Sequence, residues 1–110
     1  MSAIYTNQPT LLYYIKINGV WKVGITKTSL NERYKKEIKS GMNIEIIREV
    51  LYQDGYKAFE LEQIILNSTV EYIISKEDAP IEGGWTETRK TDVIEIFDKI
   101  VKDHNQAERK

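Results

Sequence analysis

Cysteine is absent from this 110-residue chain, and histidine occurs once, as His104. Disulfide bonds and thiolate metal sites are therefore excluded, and a zinc site or catalytic triad built on histidine is not expected. Long apolar runs are also absent, so we expect neither a membrane span nor a signal peptide and infer a cytoplasmic location. What remains is a chain with 41% hydrophobic and 30% charged residues, which is ordinary for a globular protein.

A surplus of positive charge is missing as well. The chain has 16 Lys and Arg residues against 17 Asp and Glu residues, a net charge of −1, whereas nucleic-acid-binding domains usually carry a basic surplus. The basic residues nevertheless concentrate between Lys22 and Lys39, and the acidic ones between Glu45 and Asp98. This asymmetry fits a one-sided binding face, although a solvated helix surface would show it too.

The length allows one domain and is too short for two. We expect a polar tail over residues 1–10, a single domain over residues 11–104 and a frayed C-terminus over residues 105–110. Aromatic and β-branched residues predict strands over Leu11–Ile17 and Val20–Thr26, and a third over residues 43–53. A short strand is also predicted at residues 71–74.

Three segments have helical patterns. Ser29 and Glu32 have the spacing of a capping box, so a helix should begin there, bury Leu30, Tyr34 and Ile38, and stop at Gly41. A second helix is predicted over residues 56–67. A third begins near residue 92 and has a clear apolar face, formed by Val93, Ile94, Ile96, Phe97, Ile100 and Val101. Together these elements predict an α+β fold: a small three-stranded antiparallel sheet with an N-terminal hairpin, flanked by about three helices.

The hairpin register follows from the turn. Asn18-Gly19 is a strong two-residue hairpin signal, and with that loop Tyr13 should face Gly24 and Ile15 should face Lys22. Alternation then puts these four side chains on one face and Tyr14 on the other. A glycine within a strand often marks the close approach of a ligand or a backbone. The alternative is a tyrosine packed over a glycine, beside a lysine that extends to solvent.

Glu62 stands out on the second predicted helix, because it falls in the middle of the apolar arc. A buried carboxylate is costly unless it is paired or bound to a cation. The sequence leaves two explanations open: a buried salt bridge, for which Arg33 is a candidate, and a metal site. Arg33 flanks the buried stripe of the first helix and can point back at the hairpin, but it can also be solvated or paired with Glu37.

These residues, in this order, resemble the GIY-YIG nuclease superfamily over most of the chain. Leu11-Leu-Tyr13 stands where the GIY triplet would be, and Lys22-Val-Gly24 stands where YIG would be. Lys22-Val-Gly-Ile-Thr26 with Leu30 and Arg33 is similar to a phage and bacterial branch that has lysine in place of the second tyrosine. Ala58-Phe-Glu-Leu-Glu62 resembles the helix that carries the family's glutamate, and Gly83-Gly-Trp-Thr-Glu87 looks like a segment found in some phage members.

The resemblance implies an endonuclease that hydrolyses DNA phosphodiester bonds with one divalent cation, Mg²⁺ or Mn²⁺. Glu62 would hold the metal, Arg33 would grip the phosphate, and Tyr13 would orient or deprotonate the attacking water. Lys22 would act as a cation near that water or the phosphate. We expect further residues to support the site, namely Gly24, Tyr34, Trp85 and Glu87. We expect Lys27, Lys35 and Lys36 to contact DNA. Trp85 can alternatively close the edge of the core.

Small free-standing members of this superfamily are often phage-encoded or homing-type enzymes, which would place this chain in a host cytoplasm. Specificity would then come from loops, from a homodimer or from a partner protein. A second interpretation is a non-catalytic member that binds DNA or a protein, such as a phage regulatory or anti-defence factor. The acidic balance and Lys22 favour that interpretation. A third is a structural interaction module whose motifs are coincidental.

Overall fold

The computed structural model describes residues 8–74, residue 77 and residues 87–108, with side chains up to residue 105. Its strands and helices follow one another along the chain as β1 (Thr10–Ile17), β2 (Val20–Thr26), α1 (Leu30–Arg33), α2 (Lys35–Lys39), β3 (Ile44–Tyr52), α3 (Gly55–Ser68), β4 (Thr88–Arg89) and α4 (Ile94–Glu108). The strands form one antiparallel sheet in the order β3-β1-β2-β4. The α+β class is therefore confirmed.

The hairpin of β1 and β2 has the register that the turn predicts. Asn18 and Gly19 both have positive φ angles, 47° and 88°, which a tight two-residue turn of the primed type requires. Tyr13 pairs with Gly24, and Ile15 pairs with Lys22. Every residue of the hairpin is thereby assigned to a face of the sheet, as predicted.

The predicted three-stranded sheet is wrong by one strand. The fourth strand, β4, has two residues and pairs with Trp21 and Lys22 of β2. The strand predicted over residues 71–74 is also wrong, because Val70–Tyr72 forms a turn of 3-10 helix and Ile73 alone makes a β-bridge, to Arg89. Two residues are too few to show the alternation by which a strand is found in a sequence.

The first predicted helix is interrupted. Ser29 caps it as expected, accepting a hydrogen bond from the Glu32 backbone N–H at 3.2 Å, and Gly41, with φ 91°, follows its end. Between them Tyr34 has non-helical dihedral angles (φ −111°, ψ 25°), which separates α1 from α2. Ile38 is predicted to be buried but is 46% exposed, because the helix after the break does not pack this side chain against the sheet.

The two faces of the sheet carry separate cores. On the face of Tyr14, strands β1 and β2 pack against α3 and α4 through a buried cluster of Leu12, Tyr14, Val23, Leu61, Ile65, Val93 and Phe97. On the face of Tyr13, they pack against α1 and the break that follows it through Tyr13, Ile15, Ile17, Leu30 and Tyr34. The predicted apolar face of the last helix is confirmed. Tyr13 and Tyr14 thus belong to different environments, although they are neighbours in the chain.

The C-terminal helix α4 continues to Glu108, through positions that were expected to fray. Within the described residues, no helix combines the length and the apolar character that crossing a membrane would require.

Candidate active site

Tyr13 occupies the centre of its face and is 1% exposed. Its ring fills the space above Gly24, since a Cβ built on that glycine would overlap the Tyr13 hydroxyl and lie 2.6 Å from the ring Cζ. The hydroxyl groups of Tyr13 and Tyr34 are 2.8 Å apart and share a hydrogen bond. The two rings meet edge to face, with their centroids 5.9 Å apart and their planes at 87°. Glycine at position 24 is therefore required by the tyrosine opposite it.

Lys22 lies beside this pair and does not extend to solvent, because the residue is only 2% exposed. Its Nζ is 5.5 Å from the centroid of the Tyr34 ring and 3.6 Å from Oε1 of Glu87. The short strand β4 explains the second contact, since Thr88 pairs with Lys22 and Glu87 directly precedes it. Burial lowers the pKa of Lys22, and the negative charge of Glu87 acts in the opposite direction.

Arg33, the last residue of α1, is exposed. Its guanidinium carbon is 4.9 Å from the centroid of the Tyr34 ring, a distance typical of a cation–π contact. Within the part of the chain that the structure describes, Arg33 makes no ion pair with Glu37. The guanidinium therefore borders the site, with its hydrogen-bond donors open to solvent or to a ligand.

Glu62 lies in α3 and is 5% exposed, as the helical pattern predicts. Gln63 donates a hydrogen bond to its Oε1 over 3.2 Å. Burial, followed by the negative charge of Glu87, raises the pKa of Glu62 from 4.5 to about 7. No basic side chain among the described residues lies within ion-pair distance of Glu62, so the salt bridge to Arg33 is not found.

These groups lie close enough to influence one another's pKa values. Burial raises the pKa of Tyr13, the hydroxyl of Tyr34 and the charge of Arg33 lower it, and the charges of Glu87 and Glu62 raise it. Lys22 also acts on Glu62, lowering its pKa. Side chains carried by β1, β2, α1, α3 and the approach to β4 are thus within electrostatic reach of one another, although α3 itself packs on the Tyr14 face of the sheet.

Two carboxylates in this cluster are candidates for binding a metal. Among the described residues, no group of three or more His, Cys, Asp or Glu side chains is arranged around a common point. Mg²⁺ demands less, since it commonly keeps several waters and takes one or two carboxylates from the protein. Glu62 fits that chemistry because it is buried, has no cationic partner among the described residues and is repelled by a second carboxylate, Glu87.

The three lysines predicted to contact DNA are exposed. Lys27 lies in the loop before α1, and Lys35 and Lys36 lie in α2. Trp85 lies outside the described residues. The sequence placed Tyr34 in an apolar stripe and predicted a supporting role for it, but did not predict its contacts with Tyr13, Lys22 and Arg33. The feature that could have indicated these contacts is the position of the tyrosine, four residues after Leu30 and directly after Arg33.

Comparison of this chain with protein-family models, with curated proteins and with solved structures found no match. The candidate site is therefore interpreted from its own geometry and from the motifs of the sequence.

Proposed function

We propose that this protein is a divalent-metal-dependent endonuclease that hydrolyses phosphodiester bonds in DNA, with a GIY-YIG-like site. The grouping of Tyr13, Lys22 and Arg33 around the ring of Tyr34, with Glu62 within electrostatic reach, supports the proposal most strongly. Motif resemblance singled out these four residues, which are spread over 50 positions of the sequence, counted inclusively from 13 to 62. Each of them interacts electrostatically with at least one other member of the cluster.

Each of the four side chains has a separate role in the proposed reaction. Arg33, which is exposed, binds the scissile phosphate through its planar fork of donors. Tyr13 orients the attacking water and accepts its proton. Lys22, held by Glu87 and 5.5 Å from the centroid of the Tyr34 ring, supplies a cation near the water or the phosphate.

Glu62, with Glu87 near it, would hold Mg²⁺ or Mn²⁺. The bound cation would offset negative charge on the phosphate and on the leaving oxygen. This role gives a physical reason for a carboxylate that is buried without a cationic partner among the described residues.

Plasmid nicking in Mg²⁺ or Mn²⁺ tests the proposal. Wild-type protein should convert supercoiled DNA to the nicked form, and Glu62→Ala and Arg33→Ala should each lower the rate by at least about a hundredfold. Arg48→Ala is the matched control, because Arg48 is an exposed arginine on the opposite face whose guanidinium pairs with Asp98. If folded wild-type protein cuts no DNA substrate with either metal, the enzyme proposal is wrong.

One observation favours a second candidate function, a non-catalytic factor that binds DNA or a protein. Tyr13 and Lys22 are 1% and 2% exposed, so in this conformation their polar atoms do not reach a ligand in solution. A binding factor would retain DNA affinity that falls steeply with salt and show no cleavage. Its affinity would also be insensitive to Glu62→Ala, which separates it from the nuclease.

A further inference from the structure

Tyr34 contacts more members of the candidate site than any of the residues that the motifs single out. Its hydroxyl shares the 2.8 Å hydrogen bond with Tyr13. Its ring has the Lys22 ammonium 5.5 Å from the centroid and the Arg33 guanidinium 4.9 Å from it. One side chain thus touches three residues that come from two strands and a helix.

The local backbone explains how this is possible. Tyr34 follows Leu30 by one helical turn, and both side chains are buried against the hairpin, at 1% and 5% exposure. The helix stops at Arg33 and resumes at Lys35, and the interruption falls on Tyr34 itself. An exposed arginine and a fully buried tyrosine can therefore be sequence neighbours and still meet at the same site.

We propose that Tyr34 is the positioning residue of this site: its hydroxyl fixes the Tyr13 phenol, and its ring holds the Lys22 and Arg33 cations in place. The inference rests on the proposed nuclease function. Within that function, Tyr34 aligns the base, Tyr13, with Arg33, the residue that binds the phosphate. A phenol is suited to the task because it has two χ angles, a hydrogen-bonding tip and a face that attracts cations.

The hydrogen bond has a direction when Tyr13 acts as a base. As the Tyr13 oxygen becomes negative, the Tyr34 hydroxyl donates to it, which favours the phenolate. Charges from three neighbouring elements also act on Tyr13: Arg33 from α1, Glu62 from α3 and Glu87 from the approach to β4. The Arg33 cation assists deprotonation and the two carboxylates oppose it, whereas the Tyr34 hydroxyl assists it without carrying a charge.

Phe and Leu at position 34 separate the two parts of the role. Tyr34→Phe keeps the ring and removes the donor, so the turnover rate at neutral pH should fall by about 10- to 100-fold with KM for DNA unchanged. The deficit should stay constant through neutral pH and shrink only as pH approaches the pKa of Tyr13, which burial raises, because Tyr13 is then deprotonated without help. Tyr34→Leu removes the ring as well and should also raise KM, because Arg33 loses its contact.

Tyr14→Phe is the matched control. It removes a phenol hydroxyl that is equally buried, on the opposite face, where it donates to Asp92 over 2.6 Å and accepts from the Val93 N–H over 2.7 Å. This variant should lose stability while keeping the wild-type dependence of nicking rate on pH. Circular dichroism and thermal melting would establish that all three variants are folded under the assay conditions.

The outcomes separate the two proposals. If Tyr34→Phe cuts at the wild-type rate with the wild-type pH profile, the positioning role is wrong and the nuclease function stands. If Tyr34→Phe and Tyr14→Phe lose rate equally at all pH values, the effect is structural and the role is again wrong. If wild-type protein cuts no DNA, the nuclease function is wrong, and the role of Tyr34 falls with it.

Discussion

Glu62 is the residue whose placement is hardest to explain by stability alone. A carboxylate that is 5% exposed, on a helix face that also buries Leu61 and Ile65, carries a desolvation cost. A core selected only for stability would have an apolar side chain or a neutral amide there. The cost is therefore consistent with a function for the charged form, as the metal-binding proposal requires.

The raised pKa of Glu62 predicts how stability depends on pH. The folded-state pKa of about 7 lies above the ordinary value of 4.5, so the folded protein binds this proton more tightly than the unfolded chain does. Burial of Glu62 therefore costs nothing below about pH 4, costs progressively more as pH rises, and carries its full penalty above about pH 7. That penalty is on the order of 3 kcal/mol in the free energy of unfolding.

Glu62→Gln should accordingly stabilise the protein at high pH. We expect its free energy of unfolding, measured by urea denaturation in the absence of metal, to exceed that of wild type at about pH 8 by on the order of 3 kcal/mol and to converge with it near pH 4. Glu60→Gln is the control, since Glu60 is on the same helix but exposed. A difference between Glu62→Gln and wild type that does not change with pH would contradict the prediction.

At the scale of the elements, Arg89 joins the end of α3 to the short strand β4. It is fully buried, and its guanidinium donates to the Thr69 hydroxyl over 2.8 Å and to the Leu66 carbonyl over 3.1 Å. Thr69 in turn donates to the carbonyl of Ile65 over 2.9 Å. A single side chain thus satisfies groups at the C-terminal end of a helix, where backbone carbonyls lack partners within the helix.

Arg89→Met should therefore destabilise the fold. Removing the guanidinium removes buried hydrogen bonds from a charged donor to Thr69 and Leu66, at a cost of about 2 to 4 kcal/mol in the free energy of unfolding. Arg48→Ala provides the comparison, because the Arg48–Asp98 pair is about half exposed, at 45% and 46%, and its loss should cost much less. Thermal or urea unfolding of the two variants checks the contrast, and equal losses would show that Arg89 has no such joining role.

At the scale of the whole molecule, a chain of net charge −1 can bind DNA only through a local basic surface. The exposed candidates, Arg33, Lys35 and Lys36, are carried by α1, which covers the Tyr13 face of the sheet, and by α2, which follows it. The opposite face is covered by α3 and α4. If the proposed function is correct, positive charge should matter on the first side and not on the second.

Paired lysine substitutions test this asymmetry. Lys35→Ala with Lys36→Ala should weaken DNA binding and reduce the slope of log affinity against log salt by about 2, one phosphate contact for each lysine. Lys99→Ala with Lys102→Ala removes the same charge from α4 and should leave that slope unchanged. Fluorescence anisotropy over a range of salt concentrations, with a chelator present, measures both. Equal effects of the two pairs would mean that only net charge matters.

The sequence determined those features that depend on a few adjacent residues. Asn18-Gly19 fixed the hairpin register, and with it the separation of Tyr13 from Tyr14 and the pairing of Tyr13 with Gly24. The helical period placed Glu62 on a buried face. Turn geometry and residue period act over short distances, so the residues concerned carry the whole signal.

Only the tertiary structure decided which distant residues meet. The two-residue strand β4, the Lys22–Glu87 contact and the break at Tyr34 have no periodic signal, because each is set by packing between segments far apart in the chain. The same holds for Glu62, for which the sequence could not choose between a salt bridge and a metal. The structure removed the salt bridge to Arg33 by turning that arginine toward the ring of Tyr34. Side chains find such partners only once the sheet and helices have come together.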